Sequence, residues 1–474
     1  MTLFQFFLFP FIASALLFFS LHLKKRVLKA IAFLFSLVPL AVQVTSGTAF
    51  LGMEYDVPWL ATLSIHFHLV VDNLSLVFLY IVNAIVPISI LASQSQRIYR
   101  ANFFYGFILL LQGLCLGFFT SRDLVCFTFF FEAMLLPLYF LINSWGGPER
   151  QKASFTFILY MIAGSVLMVA AVLSLYVSGN TFDIDTLATV AEKLPYAPLL
   201  CAIFLLAFLV KTPIFPFHAW LPDAYCQAPL SGTILLSAVL SKAGIYGILR
   251  VTYALYPTLM VQMGGLIFAF AVAGMLYGAF AAWGQTDFKK LIAYSSLSHV
   301  NFVLAGLFVF NPMAESGAIL QAVNHSITIT GLFLVAAWLE DRLDTTQFGR
   351  SYGLASYMPN LAWLSLFFVL SAVALPGLNN FVSEVMLLYG VFIENPYFAA
   401  ILGTTVVLSI LYMLRFMHQI YFETPSPFQA NWQDITRKEK LIALPLVALI
   451  IWLGIYPGPL LHQIAPATRL ETSK

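Results

Sequence analysis

Charge is scarce in this chain: 23 Lys+Arg and 21 Asp+Glu among 474 residues, 9% in all, against about 25% in an average soluble domain. So little charge leaves no room for a soluble domain, and a formal net charge of +2, with no basic arm or stripe, gives no footprint for nucleic acid. Cysteine is scarce as well. Cys115, Cys126, Cys201 and Cys226 form no C-x-x-C pair, which argues against an iron–sulfur cluster, a zinc site or a disulfide framework. Phosphate-cradling glycine loops are missing, and no loop offers a nucleophile with a base and an orienting acid. His, Cys and carboxylates do not gather on adjacent turns as a metal site requires. His66-x-His68, just ahead of the third apolar segment, reads as a surface pair.

What the chain has is apolar surface. Hydrophobic residues make up 61% and aromatics 16%, and the mean hydropathy is +0.90. Lipid is therefore the solvent for most of the chain. Roughly 20 apolar residues cross the hydrocarbon core as a helix, and the pattern predicts an all-α polytopic membrane protein of about fourteen such helices. They fall near 2–21, 28–48, 73–93, 103–120, 123–143, 154–178, 197–219, 228–252, 258–283, 290–310, 316–339, 360–392, 396–421 and 440–462. The first segment has no basic residue before it and Lys24, Lys25, Arg26 and Lys29 just after it, so it reads as an uncleaved anchor, not a signal peptide. Fifteen Lys and Arg follow odd-numbered spans, Arg97 and Arg350 among them. Five lie on the other side, namely Arg122, Lys193, Arg250, Arg469 and Lys474, while Lys211, Lys242 and Arg415 fall inside spans. The positive-inside rule then puts both termini outside the cytoplasm.

Charges inside the spans carry the chemistry. An ionisable side chain at bilayer depth costs about 2.5–3.5 kcal/mol on insertion scales and by default faces a bundle interior or a watery path. Here these are Glu132, Lys211, Lys242, His299, His325 and Glu384. Glu132 needs a partner of opposite sign, and the buried lysines are the candidates at similar depth. Small residues around Lys242, in Leu240-Ser241-Lys242-Ala243-Gly244, let helices approach closely. Pro213 and Pro216 just after Lys211, and Pro376-Gly377 eight residues before Glu384, predict broken helices, which at membrane depth commonly mark ion sites in transporters. Glu384 reads as the only carboxylate of the second half at that depth. Groups that exist charged or neutral at modest cost suit proton hopping and make a poor pocket for a large solute.

The two breaks sit five spans apart. That layout predicts an inverted five-helix repeat, spans 4–8 against 9–13, because an odd number of helices reverses topology. The expected divisions are residues 1–100 for helices 1–3, 101–252 and 253–422 for the repeats, and 423–474 for the last helix.

From about residue 55 to 425 the chain resembles the antiporter-like, proton-translocating subunits of respiratory complex I, and within them the branch of the bacterial M subunit and mitochondrial subunit 4. The resemblance rests on Val71-Asp72-Asn73-Leu74-Ser75-Leu76, Phe131-Glu132 through Pro137, and Lys211-Thr212-Pro213 through His218-Ala219-Trp220-Leu221-Pro222-Asp223-Ala224. Ala228-Pro229 through Arg250, Asp287-Phe288-Lys289-Lys290 through His299, and Pro376-Gly377 through Glu384 complete it. It implies that Glu132 pairs with Lys211 and that Lys242, His299, His325 and Glu384 continue the line. It also implies a translocase subunit without a redox centre of its own, in a bacterial inner (cytoplasmic) membrane with periplasmic termini, beside paralogous antiporter-like subunits. NADH, FMN, iron–sulfur clusters and quinone would be held by partner subunits. Ser383 stands where the family usually has glycine, and Tyr225 where many members have histidine.

A sister reading, a subunit of a multisubunit cation/proton antiporter or membrane-bound hydrogenase, uses the same residues. A stand-alone secondary transporter of a small solute finds no substrate pocket in the sequence.

Overall fold

The computed structural model describes residues 2–94, 98–348, 353–423 and 432–465. Arg97, Arg350, Arg469 and Lys474, which entered the orientation count, lie outside the described residues. The chain divides into two units, Met1–Pro213 with Gln227–Gly265, and Ile214–Cys226 with Leu266–Lys474.

The first unit opens with α1 (Leu3–Phe19) and α2 (Lys25–Ser46). Thr2 and Gln5 form a capping box at the start of α1, satisfying two of the backbone donors that a helix start leaves over. Between residues 46 and 73, where no element was expected, the chain makes an antiparallel hairpin, β1 (Glu54–Leu60) with β2 (Ile65–Val70). This two-stranded hairpin is an addition to a fold that is otherwise all-α among the described residues. Ile65-His66-Phe67-His68-Leu69 alternates apolar with polar residues, the period of a strand. The two histidines, read from sequence as a surface pair, are part-exposed and each meets a carboxylate: His66 Nδ1 lies 2.8 Å from Asp56 and His68 Nε2 2.8 Å from Glu54. His68 Nδ1 also lies 3.7 Å from Asp183.

Helix α3 (Asn73–Ala92) is capped by Asp72, whose carboxylate accepts from Ser75 N. Helix α4 (Ala101–Thr120) follows, then α5 (Leu124–Ala133), capped by Asp123. Pro137 lacks an N–H and crowds the carbonyl of Ala133, so α5 gives way at Met134 to α6 (Leu135–Trp145). Helix α7 (Arg150–Gly179) and the single turn α8 (Ile184–Leu187) lead to α9 (Ala197–Lys211). Helix α9 stops at the residue before Thr212-Pro213, as pre-proline sterics require, and the next helix, α10 (Trp220–Gln227), begins only after residues 212–219. The Lys242 helix runs as α11 (Leu230–Leu235), a π turn over Leu236–Leu240, α12 (Ser241–Gly247), a second π turn over Ile248–Thr252, and α13 (Tyr253–Leu255). It is wholly buried.

The second unit, which already holds nearly all of α10, is re-entered along α14 (Pro257–Gly284) and continues with α15 (Phe288–Leu307) and the buried α16 (Pro312–Leu343). The expected second break lies between α17 (Pro359–Ala372) and α18 (Asn379–Glu394). Gly377 turns there at φ +90°, a conformation that glycine adopts without a Cβ penalty. Helix α19 (Pro396–Met417) precedes α20 (Arg437–Ile455) and α21 (Gly458–Ile464). The last span, drawn as continuous over 440–462, is instead bent by 77° between α20 and α21, where Pro457 breaks the helical hydrogen bonds.

Among the described residues nine helices are long and apolar enough to cross a membrane, or ten with the bent α20–α21 pair counted as one. The protein is a multi-pass, helical membrane protein. Its outer helices present apolar side chains outward, Phe155, Leu159, Ile162 and Val166 on α7 for example.

Candidate functional site

In the first unit Lys211 ends α9 fully buried, and its ammonium donates to the carbonyl of Phe131 at 2.6 Å while lying 3.1 Å from the centre of the Phe131 ring. The ring face offers the cation a partial negative charge. Glu132 and Cys115 are the electrostatic neighbours of that ammonium. Glu132 and Lys211 form no direct ion pair: the acid is half-buried, and its buried Oε1 meets no hydrogen-bond partner among the described residues. The two groups foreseen as a pair are thus neighbours, with Phe131 holding the lysine.

Lys242 is buried on α12, its ammonium donating to Ser237 O at 2.7 Å and Ser241 Oγ at 3.1 Å. Gly244 explains how α12 reaches α9, since a Cβ there would overlap Thr212 Oγ1 and the carbonyl of Phe208. The small residues around Lys242 thus set a close approach beside the end of α9.

Arg250, counted from sequence among loop cations, is corrected by the structure. It is 1% exposed, and its guanidinium makes a two-point pair with the Asp72 carboxylate at 2.7 Å and 2.7 Å. Its position eight residues beyond Lys242, next to the drawn span end, concealed this. Arg122 shares the same carboxylate at 2.7 Å.

In the second unit His299 on α15, His325 on α16 and Glu384 on α18 come together. His299 Nδ1 is 3.7 Å from Glu384 Oε1, and the two imidazole centroids are 5.7 Å apart. Glu384 Oε1 accepts from Gln321 Nε2 at 3.1 Å, and the Gln321 carbonyl accepts from the Ser383 hydroxyl. Asn324 donates to Ser383 Oγ at 2.9 Å and to Asn379 O at 2.8 Å. Asn379 accepts from Ser371 Oγ at 2.7 Å, tying the network to the helix break. Sequence reasoning missed Gln321 and Asn379, neutral residues whose burial is invisible in a charge survey. Glu315, in the first turn of α16, is also buried at 1% exposure, so Glu384 is not the only buried carboxylate of the second half. Tyr225 is buried edge-on against Phe333.

Among the described residues no three His, Cys, Asp or Glu side chains are grouped to hold a metal ion. The arrangement suits proton transfer between buried groups that can each be charged or neutral.

Residues 121–418 match the family described as NADH:quinone oxidoreductase/Mrp antiporter, TM. The chain is 35% identical over 432 residues to NADH-quinone oxidoreductase subunit M of Rhodobacter capsulatus, covering 88% of this chain and 84% of the relative. A chain of respiratory complex I from Thermus thermophilus with bound NADH superposes at a TM-score of 0.90 and 30% identity, with 98% of each chain covered. The Mrp complex from Dietzia sp. matches at 0.86 and 21%, over 98% of this chain and 96% of that one, a likeness of fold. With the family signature over most of its length, this chain belongs to the NADH:quinone oxidoreductase/Mrp antiporter transmembrane family.

Proposed function

We propose that protons cross this subunit by way of Glu132, Lys211, Lys242, His299, His325 and Glu384, in that order. Within its family the chain is a proton-translocating membrane subunit of the NADH-quinone oxidoreductase type. The observation that carries the relay is the buried cluster of Glu384, His299 and His325 beside a broken helix. An acid and two imidazoles in reach of one another exchange a proton at modest cost, because each has an accessible neutral form. One charge moved across 100 mV is worth about 2.3 kcal/mol, enough to bias such a handover.

The architecture we propose is fourteen membrane spans, with spans 4–8 and 9–13 as inverted repeats over residues 101–252 and 253–422, flanked by residues 1–100 and 423–474. Two helix breaks, after Lys211 and before Glu384, support it. Both termini face the periplasmic side in this reading, and the membrane is a bacterial inner membrane. Paralogous antiporter-like subunits are the neighbours, and NADH, FMN, iron–sulfur clusters and quinone belong to other subunits. A place in a multisubunit cation/proton antiporter is the second reading, supported by the fold likeness to the Mrp complex. The 35% identity to a subunit M favours the first.

Affinity purification of the tagged chain from its native membrane, followed by identification of co-purifying subunits, separates the two. Recovery with NADH-oxidising and quinone-reducing subunits is expected. Recovery with cation/proton antiporter subunits alone would overturn the first reading.

A further inference from the structure

Arg250 spends its donors on three side chains in the first unit. Besides the two bonds to Asp72, Nε donates to Tyr246 Oη at 2.9 Å and Nη2 to Ser75 Oγ at 3.1 Å. Tyr246 in turn donates to Phe119 O at 2.6 Å. Asp72 accepts from both arginines and also caps α3 through Ser75 N at 2.8 Å and Ser75 Oγ at 2.8 Å. Arg122 reaches on to Asp185 at 3.2 Å. One carboxylate thereby joins the start of α3, the segment between α4 and α5, and the C-terminal part of the Lys242 helix.

A buried ion pair is not in itself a source of stability, since apolar residues of similar volume often serve as well; its attested use is to fix one register. Register is what this helix requires. Lys242, Tyr246 and Arg250 are spaced four residues apart, which places neighbours on one helix face. Lys242 lies on seven residues of α-helix between two π turns, and such turns are frequent at functional sites. A π turn admits an extra residue per turn, so the residue that anchors it determines how everything N-terminal to it is rotated. Arg250 lies within the second π turn.

We propose that the Asp72–Arg250 pair, with Tyr246, is the positioning device for Lys242: it sets the rotation of α12 that holds the ammonium on Ser237 O and Ser241 Oγ. Asp72 itself is not a proton carrier. Burial alone would raise its carboxyl, but the charge and hydrogen bonds of Arg250, with the charge of Arg122, hold it well below the usual carboxylate range.

The inference rests on Lys242 being part of the proton path, and the test keeps the two apart. The assembled complex is reconstituted in proteoliposomes as wild type, Asp72→Asn, Arg250→Gln, Arg250→Lys and Lys242→Met. Proton movement per electron is followed across a pH series, and a map of each variant locates Lys242. Asp72→Asn and Arg250→Gln are expected to slow proton movement on the order of a hundredfold, as misplaced groups do, to shift its pH profile, and to take the Lys242 ammonium off Ser237 O. Arg250→Lys, which keeps the charge without the two-point fork, is expected to fall between them and wild type. Wild-type proton movement and pH profile in assembled Asp72→Asn and Arg250→Gln would overturn the inference. Where those two fail to assemble, Arg250→Lys decides by the same readouts. Failure of all three to assemble assigns the pair to assembly and overturns positioning. Lys242→Met with wild-type proton movement removes the relay reading itself; a silent Lys242→Met beside normal Asp72→Asn and Arg250→Gln removes only the positioning role.

Discussion

His299 Nδ1 faces Glu384 Oε1 at 3.7 Å, both side chains buried, across two helices separated by 85 positions of sequence. That separation is slightly beyond a direct hydrogen bond, so a small movement of α15 or α18 brings the groups into proton-transfer distance. Replacing His299 by glutamine keeps bulk and polarity but removes the titrating group. A positioned acid or base contributes about 10²–10⁴-fold to proton transfer, so His299→Gln is expected to slow proton movement by about 10²-fold with assembly retained. Unchanged protons per electron in the assembled variant would exclude His299 from the path.

Lys211 and Glu132 separate stability from transport. Lys211→Met leaves the carbonyl of Phe131 without its donor, and an unsatisfied buried acceptor costs about 1–3 kcal/mol. The variant is expected to lose both thermal stability and proton movement. Glu132→Gln leaves the Lys211–Phe131 bond in place and is expected to lose proton movement with little loss of stability. Thermal unfolding and pumping, measured on the same preparations, check this; equal destabilisation by both variants would contradict it.

The hairpin carries a pH-dependent latch. The Asp183 carboxylate, 3.7 Å away, against the opposing effect of burial and aided by Glu54 and Asp56, holds His68 above its usual 6.5. The same neighbouring imidazole, with the Thr186 hydroxyl and N–H, holds Asp183 down at about 2. A raised imidazole gives stability that is complete below 6.5 and lost as pH rises through its elevated value. A depressed carboxyl gives stability present above its usual 3.8 and lost as pH falls toward 2. Docking of β2 on the segment before α8 is therefore tightest between pH 3.8 and 6.5. Hydrogen exchange at Tyr55 and Phe67, corrected for intrinsic rates, should show protection falling on the alkaline side, and Asp183→Asn should abolish the trend. Protection independent of pH in the wild type would refute the latch.

Gly454 on α20 lies against the α17–α18 break. A Cβ there would stand 2.6 Å from Leu378 Cα and overlap the carbonyl of Gly377, backbone that cannot swing aside like a side chain. Overpacking of this kind costs about 1–3 kcal/mol. Gly454→Ala should lower the melting temperature of the complex, whereas an unchanged melting curve would mean that α20 does not bear on the break.

Much of this was legible in the sequence because a charge in an apolar run is conspicuous and a proline marks its own break. Lys211 with Pro213, and Pro376 with Glu384, were readable in that way. Arg250 was not, because its depth depends on two π turns and on a partner 178 positions away. The hairpin leaves a faint signal because its strands are seven and six residues long, beside apolar segments three times longer. Gln321 and Asn379 carry no charge, and only folding reveals that they join Glu384 to the helix break. Pro457 does not mark its break in the sequence because the apolar pattern continues across it.

The most direct test is the number of protons moved per electron by the reconstituted complex carrying Glu384→Gln, with assembly and electron transfer measured on the same vesicles. Glutamine can still accept the hydrogen bond from Gln321 but cannot release and take up a proton. The expected result is an assembled complex that transfers electrons and moves fewer protons per electron than wild type. A wild-type ratio in that variant would place the path elsewhere and contradict the relay.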